Sequence, residues 1–235
     1  MGSSRRIGLL VPSSNTTMEP EFHLMSPVGV SVHTARMKLV DVTPEGLVEM
    51  ADDAERAASL LASAAVDIIV YGCTTGSLVG GVEWERHLVE EIESLTGLST
   101  FSTGGAVVKA LKDLELERIA VATPYTDVLN RLEQVFLEAH GFEVTAMKGL
   151  GLIRNLDIGA TEAETITDLV RSIVDRTDGI FISCTNLPTV NILEPLEREL
   201  KMPVVSSNQA SIWAALQELH IGGIEGFGSL LGGHL

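Results

Sequence analysis

The chain contains two cysteines, and each follows an aliphatic run that opens with an aspartate. Residues 66–77 read VDIIVYGCTTGS and residues 177–188 read TDGIFISCTNLP, so hydroxyl or amide side chains follow both Cys73 and Cys184. A helix beginning after such a strand lowers the pKa of a thiol and makes a thiolate available as nucleophile or base. The spacing therefore indicates thiol chemistry. The more ordinary alternative is that both cysteines are buried and inert.

A disulfide and a metal site are two further explanations of the cysteine pair. The sequence has no CxxC motif and its six histidines do not flank the cysteines, so we expect no metal. The glycines of GLGLI and GGIEGFG match no phosphate-binding fingerprint, so we expect no nucleotide. The N-terminal MGSSRR lacks the apolar core of a signal peptide, so we expect a cytoplasmic protein with reduced thiols.

Apolar strand-like runs alternate with helical patterns along the whole chain. The predicted strands are 7–11, 28–34, 68–71, 119–123, 143–146, 180–183 and 204–206. The predicted helices are 44–65, 84–96, 104–114, 126–140, 162–176, 189–201 and 209–219. This alternation predicts an α/β fold with buried parallel strands.

The second half of the sequence repeats the first. RRIGLLVPS at 5–13 resembles ERIAVATPY at 117–125, and the run that ends in Cys73 resembles the run that ends in Cys184, 111 residues later. A third match joins STGGAVVKAL to SNQASIWAAL at an offset of 105. Both cysteines thus follow the carboxyl ends of equivalent strands, where open α/β sheets bind ligands. If the halves are related by a pseudo-twofold axis, the two thiols face each other across a cleft.

The segment VPSSNTTMEPE, residues 11–21, leaves the first predicted strand through polar residues. Thr16 and Glu19 have the spacing of a capping box at a helix start. Alternatively, Ser13, Ser14, Asn15 and the loop amides hold a carboxylate at a helix N-terminus. The two readings are compatible, because a capped N-terminus still presents N–H groups.

Four later residues are candidates for the site, and each also has an ordinary structural reading. Tyr125 follows the first strand of the second half, at the position that matches Ser13, and is either a core aromatic or a hydrogen-bond donor to substrate. Asn155 and Asn208 read as a loop asparagine and a helix cap. Trp213 reads as a core residue.

The formal net charge of −16 argues against a nucleic acid or an anionic membrane as partner. The apolar runs are also too short to span a bilayer. A small anion remains compatible with this charge, since a local pocket of N–H groups outweighs a distant surface field.

With these motifs in place, the chain resembles the aspartate/glutamate racemase superfamily, and within it the maleate cis–trans isomerases and the related arylmalonate decarboxylases. VPSSNTTMEPE is specific for this branch and the cysteine loops for the superfamily. The resemblance implies two pseudo-twofold-related, flavodoxin-like halves with the active site in the cleft between them, no cofactor, and a homodimer or homotetramer. We assign residues 1–103 together with 208–235 to the N-terminal half and residues 104–207 to the second half.

The resemblance also implies which residues act. Cys73 and Cys184 match the two catalytic cysteines of the family, and Asn15, Tyr125 and Asn155 match its substrate-binding positions. To these we add further candidate donors in the same loops: Ser14, Thr74, Thr75 and Thr185.

The predicted function is cofactor-independent cis–trans isomerisation of a small unsaturated dicarboxylate, of the maleate-to-fumarate type, with Cys73 as nucleophile and Cys184 as acid and base. Arylmalonate decarboxylases carry glycine in place of the first cysteine, so Cys73 argues against decarboxylation. A two-cysteine racemase of hydantoins or amino acids is an alternative, although the threonines after both cysteines differ from the Cys-Asn-Thr of amino-acid racemases. A non-catalytic regulatory protein that binds a small ligand is an alternative of another class.

Overall fold

The computed structural model describes residues 5–232, in which strands and helices alternate as predicted. Within that range the strands are Arg5–Pro12 (β1), Val30–Met37 (β2), Ile68–Tyr71 (β3), Thr100–Ser102 (β4), Arg118–Thr123 (β5), Glu143–Gly149 (β6), Gly179–Ile182 (β7) and Val204–Ser206 (β8). The helices are Met18–Leu24 (α1), Pro44–Ala51 (α2), Ala54–Ser63 (α3), Thr74–Leu78 (α4), Gly81–Thr96 (α5), Thr103–Asp113 (α6), Asp127–Ala139 (α7), Asn155–Gly159 (α8), Ala163–Arg171 (α9), Leu193–Leu200 (α10), Ser207–Glu218 (α11) and Ser229–Gly232 (α12).

The strands form two sheets with the same topology. The first has the order β2-β1-β3-β4 and the second β6-β5-β7-β8, and every neighbouring pair is parallel. Every residue of β3 and of β7 is buried, as expected for central strands covered by helices on both faces. The predicted α/β class with two similar parallel-sheet halves is confirmed.

The period-two alternation of the strands sends side chains to two apolar clusters. In β3, Ile68 and Val70 join one cluster, whereas Ile69 and Tyr71 join the other, which also contains Cys73. Cys73 and Tyr71 therefore lie on the same side of the first sheet.

Helices α6 and α11 pack against each other and so link the two halves. None of the helices within residues 5–232 has the length and apolar character needed to cross a membrane.

Several predicted boundaries are wrong, and the structure gives reasons for two of them. The helix predicted at 44–65 is two helices, α2 and α3, separated at Asp52 and Asp53, where the Asp53 carboxylate accepts hydrogen bonds from Arg56 and from the N–H of Lys38. The helix predicted from residue 189 starts at Leu193, because the preceding N–H groups bind a buried carboxylate. The short strand β4 was not predicted.

Candidate active site

Cys73 follows β3 and forms the N-cap of α4. Its Sγ accepts a hydrogen bond from the N–H of Gly76 at 3.3 Å and another from the side chain of Thr75. Burial raises the pKa of Cys73 to about 12, and these two hydrogen bonds offset only part of that effect, while a charge on Cys184 raises it further. The predicted helix start is present, but burial outweighs it.

Cys184 follows β7 in an unusual backbone conformation, with φ at 110°. Its N–H donates to Oγ of Ser207 at 3.0 Å, and its Sγ accepts from the N–H of Asn186 at 3.3 Å. The hydroxyl of Tyr125 is also hydrogen-bonded to this sulfur. Burial raises the pKa of the Cys184 thiol to about 11, against the lowering effect of Tyr125 and the neighbouring N–H groups.

The prediction of a lowered thiol pKa is therefore wrong for both cysteines. For Cys184 the helix itself is missing, since α10 begins only at Leu193. Both cysteines are free thiols, which excludes the disulfide alternative. Across residues 5–232, no group of three or more His, Cys, Asp and Glu side chains is arranged to hold a metal ion.

The two cysteine loops meet through side chains that lie far apart in the sequence. Thr74 Oγ1 donates to Ser207 Oγ at 2.9 Å, and the same Ser207 oxygen accepts the N–H of Cys184. Thr185 Oγ1 lies 3.3 Å from the carbonyl oxygen of Gly72 and donates to it. A thiol from each half is thus fixed in one shared, buried cluster.

The β1–α1 loop joins this cluster through Asn15. Its Nδ2 donates to Thr185 Oγ1 at 3.0 Å, while its Oδ1 accepts from the N–H groups of Thr17 and Met18 at 3.0 and 2.9 Å. The predicted capping box of Thr16 and Glu19 is wrong. Thr17 is the N-cap residue and makes no side-chain cap, so the Asn15 carboxamide binds the free N–H groups at this helix start instead.

Asn155, predicted in a loop, is the first residue of α8. Its Nδ2 donates to Ser14 Oγ at 2.9 Å, and its carbonyl oxygen accepts from Asn186 Nδ2 at 2.6 Å. Asn186 Oδ1 in turn accepts the N–H of Thr16 at 2.8 Å. This network places the asparagine of the second half against the first loop of the other half.

The structure brings the predicted site residues into this cluster from loops of both halves. All of them are buried except Ser14, which is half-buried: Asn15, Cys73, Thr74, Thr75, Tyr125, Asn155, Cys184 and Thr185. Such an enclosed arrangement excludes bulk water, and electrostatic interactions inside it are correspondingly strong.

Sequence reasoning left three hydrogen-bonding residues out of the predicted site. Ser207 opens α11 and joins the two cysteine loops; its match to Ser102 in the internal repeat was a usable signal. Asn186 follows Cys184 in the CTN motif. Asn208 is not a helix cap, because Ser206 caps α11 in a capping box with Gln209.

Two buried glutamates also support the Cys184 loop. Glu21 accepts hydrogen bonds from the N–H groups of Thr189 and Val190 and from Asn208 Nδ2, at 2.6, 2.9 and 2.7 Å. Burial raises the pKa of this carboxyl despite those bonds. The Glu21 carboxylate thus fixes the backbone at Thr189 and Val190, and α10 begins only at Leu193.

Glu133, on α7, is fully buried. Its Oε1 accepts from Ser183 Oγ at 2.5 Å, and Ser183 directly precedes Cys184. Burial raises the pKa of Glu133 to about 7, and a charge there also raises the pKa of Tyr125 and of Cys184. No sequence pattern marked this residue, because its burial depends on how α7 packs.

These features define a two-halved α/β protein in which each half contributes a buried thiol to one polar site. The model of the arylmalonate decarboxylase family matches residues 7–231, and the chain belongs to that family. A maleate isomerase of Nocardia farcinica is 35% identical over 97% of this chain and 95% of its own length.

Solved structures agree with this assignment. A maleate isomerase of Pseudomonas putida S16, crystallised with maleate, has a TM-score of 0.93 at 30% identity and covers 97% of this chain and 98% of its own. A variant of the Nocardia farcinica maleate cis–trans isomerase that carries a covalently bound succinylcysteine intermediate has a TM-score of 0.92 at 32% identity, with coverage of 97% and 98%. The predicted family is confirmed, and the protein is an enzyme of the isomerase class.

Proposed function

We propose that the protein is a cofactor-independent cis–trans isomerase of a small unsaturated dicarboxylate, with conversion of maleate to fumarate as the simplest case. The observation that carries the proposal is the pair of buried thiols, one from each half, joined through Thr74 and Ser207. A carbon–carbon double bond blocks rotation, so the enzyme must break the π-bond temporarily. Two thiols with separate tasks are sufficient for that.

In the proposed reaction, the Cys73 thiolate adds to one alkene carbon and forms a carbon–sulfur bond. The π-electron pair moves to the neighbouring carbon, which takes the proton of the Cys184 thiol and leaves Cys184 as a thiolate. The succinyl adduct then rotates about its carbon–carbon single bond. Cys184 removes the proton, the double bond re-forms, and Cys73 departs as a thiolate.

One negative charge is thereby passed from one sulfur to the other, and donors are present beside each. Gly76 N–H and the Thr75 side chain stabilise charge on Cys73. Tyr125 and the N–H of Asn186 stabilise charge on Cys184. Because both pKa values are raised by burial, such fixed donors are needed in an environment that disfavours charge.

Neutral donors supply the binding of the two substrate carboxylates in this proposal. Asn15 and Asn155 present carboxamide N–H groups, which donate to Thr185 and Ser14 in the structure. Thr74 adds a hydroxyl, and the loops add main-chain N–H groups. A pocket of dipoles of this kind binds an anion even within a chain of net charge −16.

The relatives support a covalent step. In the Nocardia farcinica enzyme, a variant with one cysteine exchanged for serine carries a covalently bound succinylcysteine intermediate. By contrast, a racemase would use the two thiols as acid and base on opposite faces of one carbon, without an adduct.

The test is a substrate panel of maleate, an aryl malonate, a hydantoin and D- and L-aspartate, followed by proton NMR in deuterated water. We expect the vinylic signal of maleate to be replaced by that of fumarate, with no change in the other substrates. Cys73→Ser serves as the inactive control. Loss of carbon dioxide from the malonate, or α-proton exchange in the hydantoin or aspartate without maleate turnover, would establish a decarboxylase or a racemase instead.

A further inference from the structure

Tyr71 is the last residue of β3 and is fully buried, yet its hydroxyl has no hydrogen-bond partner among the described residues. An unsatisfied buried hydroxyl costs free energy, and phenylalanine at the same position would avoid that cost. A native structure keeps such a group at a cost in stability, and a catalytic role is one reason to do so.

The hydroxyl lies near the sulfur of Cys73, with no hydrogen bond between the two. Alternation along the strand sends both side chains to the same apolar cluster. A Cβ placed on Gly76 would lie 3.0 Å from the Tyr71 hydroxyl, 3.0 Å from Cys73 Sγ and 2.8 Å from Cε of Met50. Both 3.0 Å distances start from the same point, so the phenol oxygen and the sulfur lie no more than about 6 Å apart. The N–H of Gly76 already donates to that sulfur.

We propose that Tyr71 is a further residue of the active site, whose phenolic O–H donates a hydrogen bond to Cys73 when that sulfur carries negative charge. This inference rests on the proposed function, in which the Cys73 thiolate is the nucleophile. The unpartnered O–H becomes satisfied only in the thiolate state, so the interaction favours that state over the resting thiol.

The electrostatics of the site agree with this role. Burial raises the pKa of Tyr71 well above its ordinary value, and charge on Cys73 raises it further, so Tyr71 remains a phenol and a donor. The ionisable groups that interact with Cys73 are Tyr71 itself, Cys184 and Tyr125. Among the described residues, charge on Cys184 contributes to the raised pKa of Cys73, whereas no Asp, Glu, His, Lys or Arg side chain does.

The same arrangement already exists beside the other thiol. The chain has two tyrosines, and the second, Tyr125, is hydrogen-bonded to Cys184. Each sulfur therefore has one phenol near it, and of the two phenols only Tyr125 is hydrogen-bonded to its cysteine. This difference follows the proposed order of events, in which Cys73 becomes charged to start the reaction.

The test is Tyr71→Phe in a Cys184→Ser background, where Cys73 is the only thiol. The measured quantity is the rate of alkylation by iodoacetamide between pH 7 and 9, which is proportional to the thiolate population. Loss of one charge-assisted hydrogen bond should slow the reaction about tenfold. The free energy of unfolding should stay the same or rise, because an unsatisfied hydroxyl is removed.

The matched control is Tyr71→Phe in a Cys73→Ser background, where alkylation of Cys184 should keep its rate. A packing defect would instead change access to both thiols, so equal changes at Cys73 and Cys184, or an unchanged rate at Cys73, would overturn the proposal. In the enzyme with both cysteines, Tyr71→Phe should lower kcat for maleate with little change in KM. The alkylation assay needs no substrate, so it decides the role of Tyr71 even if maleate is not turned over.

Discussion

The hydroxyl of Thr74 donates a hydrogen bond to the hydroxyl of Ser207 at 2.9 Å, and that Ser207 oxygen also accepts the N–H of Cys184. The residue that follows one cysteine is therefore tied, through a single serine, to the backbone of the other cysteine. Thr74 and Ser207 are 133 positions apart in the sequence. Because of this bond, the distance between the two thiols depends on the structure of both halves.

Replacing Thr74 by valine should loosen this link. Ser207 would lose a donor in a buried place, at a cost of about 1–2 kcal/mol in the free energy of unfolding. We expect kcat for maleate to fall about tenfold or more, since small displacements of reacting groups have large effects on rate. Urea unfolding and steady-state kinetics measure the two effects. Thr96→Val, which removes a hydroxyl bonded to Ile92 far from the site, is the control; equal kinetics in both variants would contradict the role of the link.

The two cysteines should differ when each is replaced by serine. Cys73→Ser should abolish both turnover and any substrate-derived adduct, because a serine hydroxyl is a far weaker nucleophile than a thiolate. Cys184→Ser should lose turnover but accumulate an adduct at Cys73, since the proton-transfer partner has the wrong pKa. Intact-protein and peptide mass spectrometry locate the added mass. An adduct on Cys184 of the wild-type enzyme would reverse the two roles.

Glu133 should make the stability of the protein depend on pH. Its pKa is raised from 4.5 to about 7, so the folded state binds this proton more tightly than the unfolded state. The resulting stabilisation is full below about pH 4.5 and is lost as the pH rises through about 7, a total of about 3 kcal/mol at 1.36 kcal/mol per pKa unit.

Glu133→Gln cannot ionise and should not lose stability in this way. Between pH 4.5 and pH 8, the free energy of unfolding of the variant should therefore rise by about 3 kcal/mol relative to the wild type. Urea unfolding at both pH values gives the comparison. Glu138→Gln, on the exposed face of the same helix, is the control. A difference for Glu133→Gln that does not change with pH would contradict the expectation.

The backbone of Cys184 should favour glycine over alanine. Its φ of 110° lies where residues with a Cβ are strained, whereas glycine is not. We expect Cys184→Gly to be more stable than Cys184→Ala by about 1 kcal/mol, as measured by urea unfolding. Cys73 is the internal control: its φ of −146° is ordinary extended backbone, so alanine should be at least as stable as glycine there. The same order at both positions would rule out strain at Cys184.

Local sequence patterns predicted most of the longer elements and the position of both thiols after a strand. The alternation of apolar runs predicted the strands around Cys73 and Cys184, and the internal repeat predicted two similar halves with one cysteine each. Both signals are read within about ten residues or from a match between segments, because strand and helix periodicity are local properties. The family resemblance then supplied Tyr125 and Asn155.

The tertiary structure decided which side chains bind each other and which groups have shifted pKa values. Asn15 binds Thr185, 170 positions away, so the first loop of one half contacts the cysteine loop of the other. The expected low thiol pKa became a raised one, because burial depends on packing from both halves and outweighs a helix start that is visible in the sequence. The unpartnered Tyr71 and the buried Glu133 emerged for the same reason: desolvation and hydrogen-bond satisfaction are set by distant chain segments that no local pattern encodes.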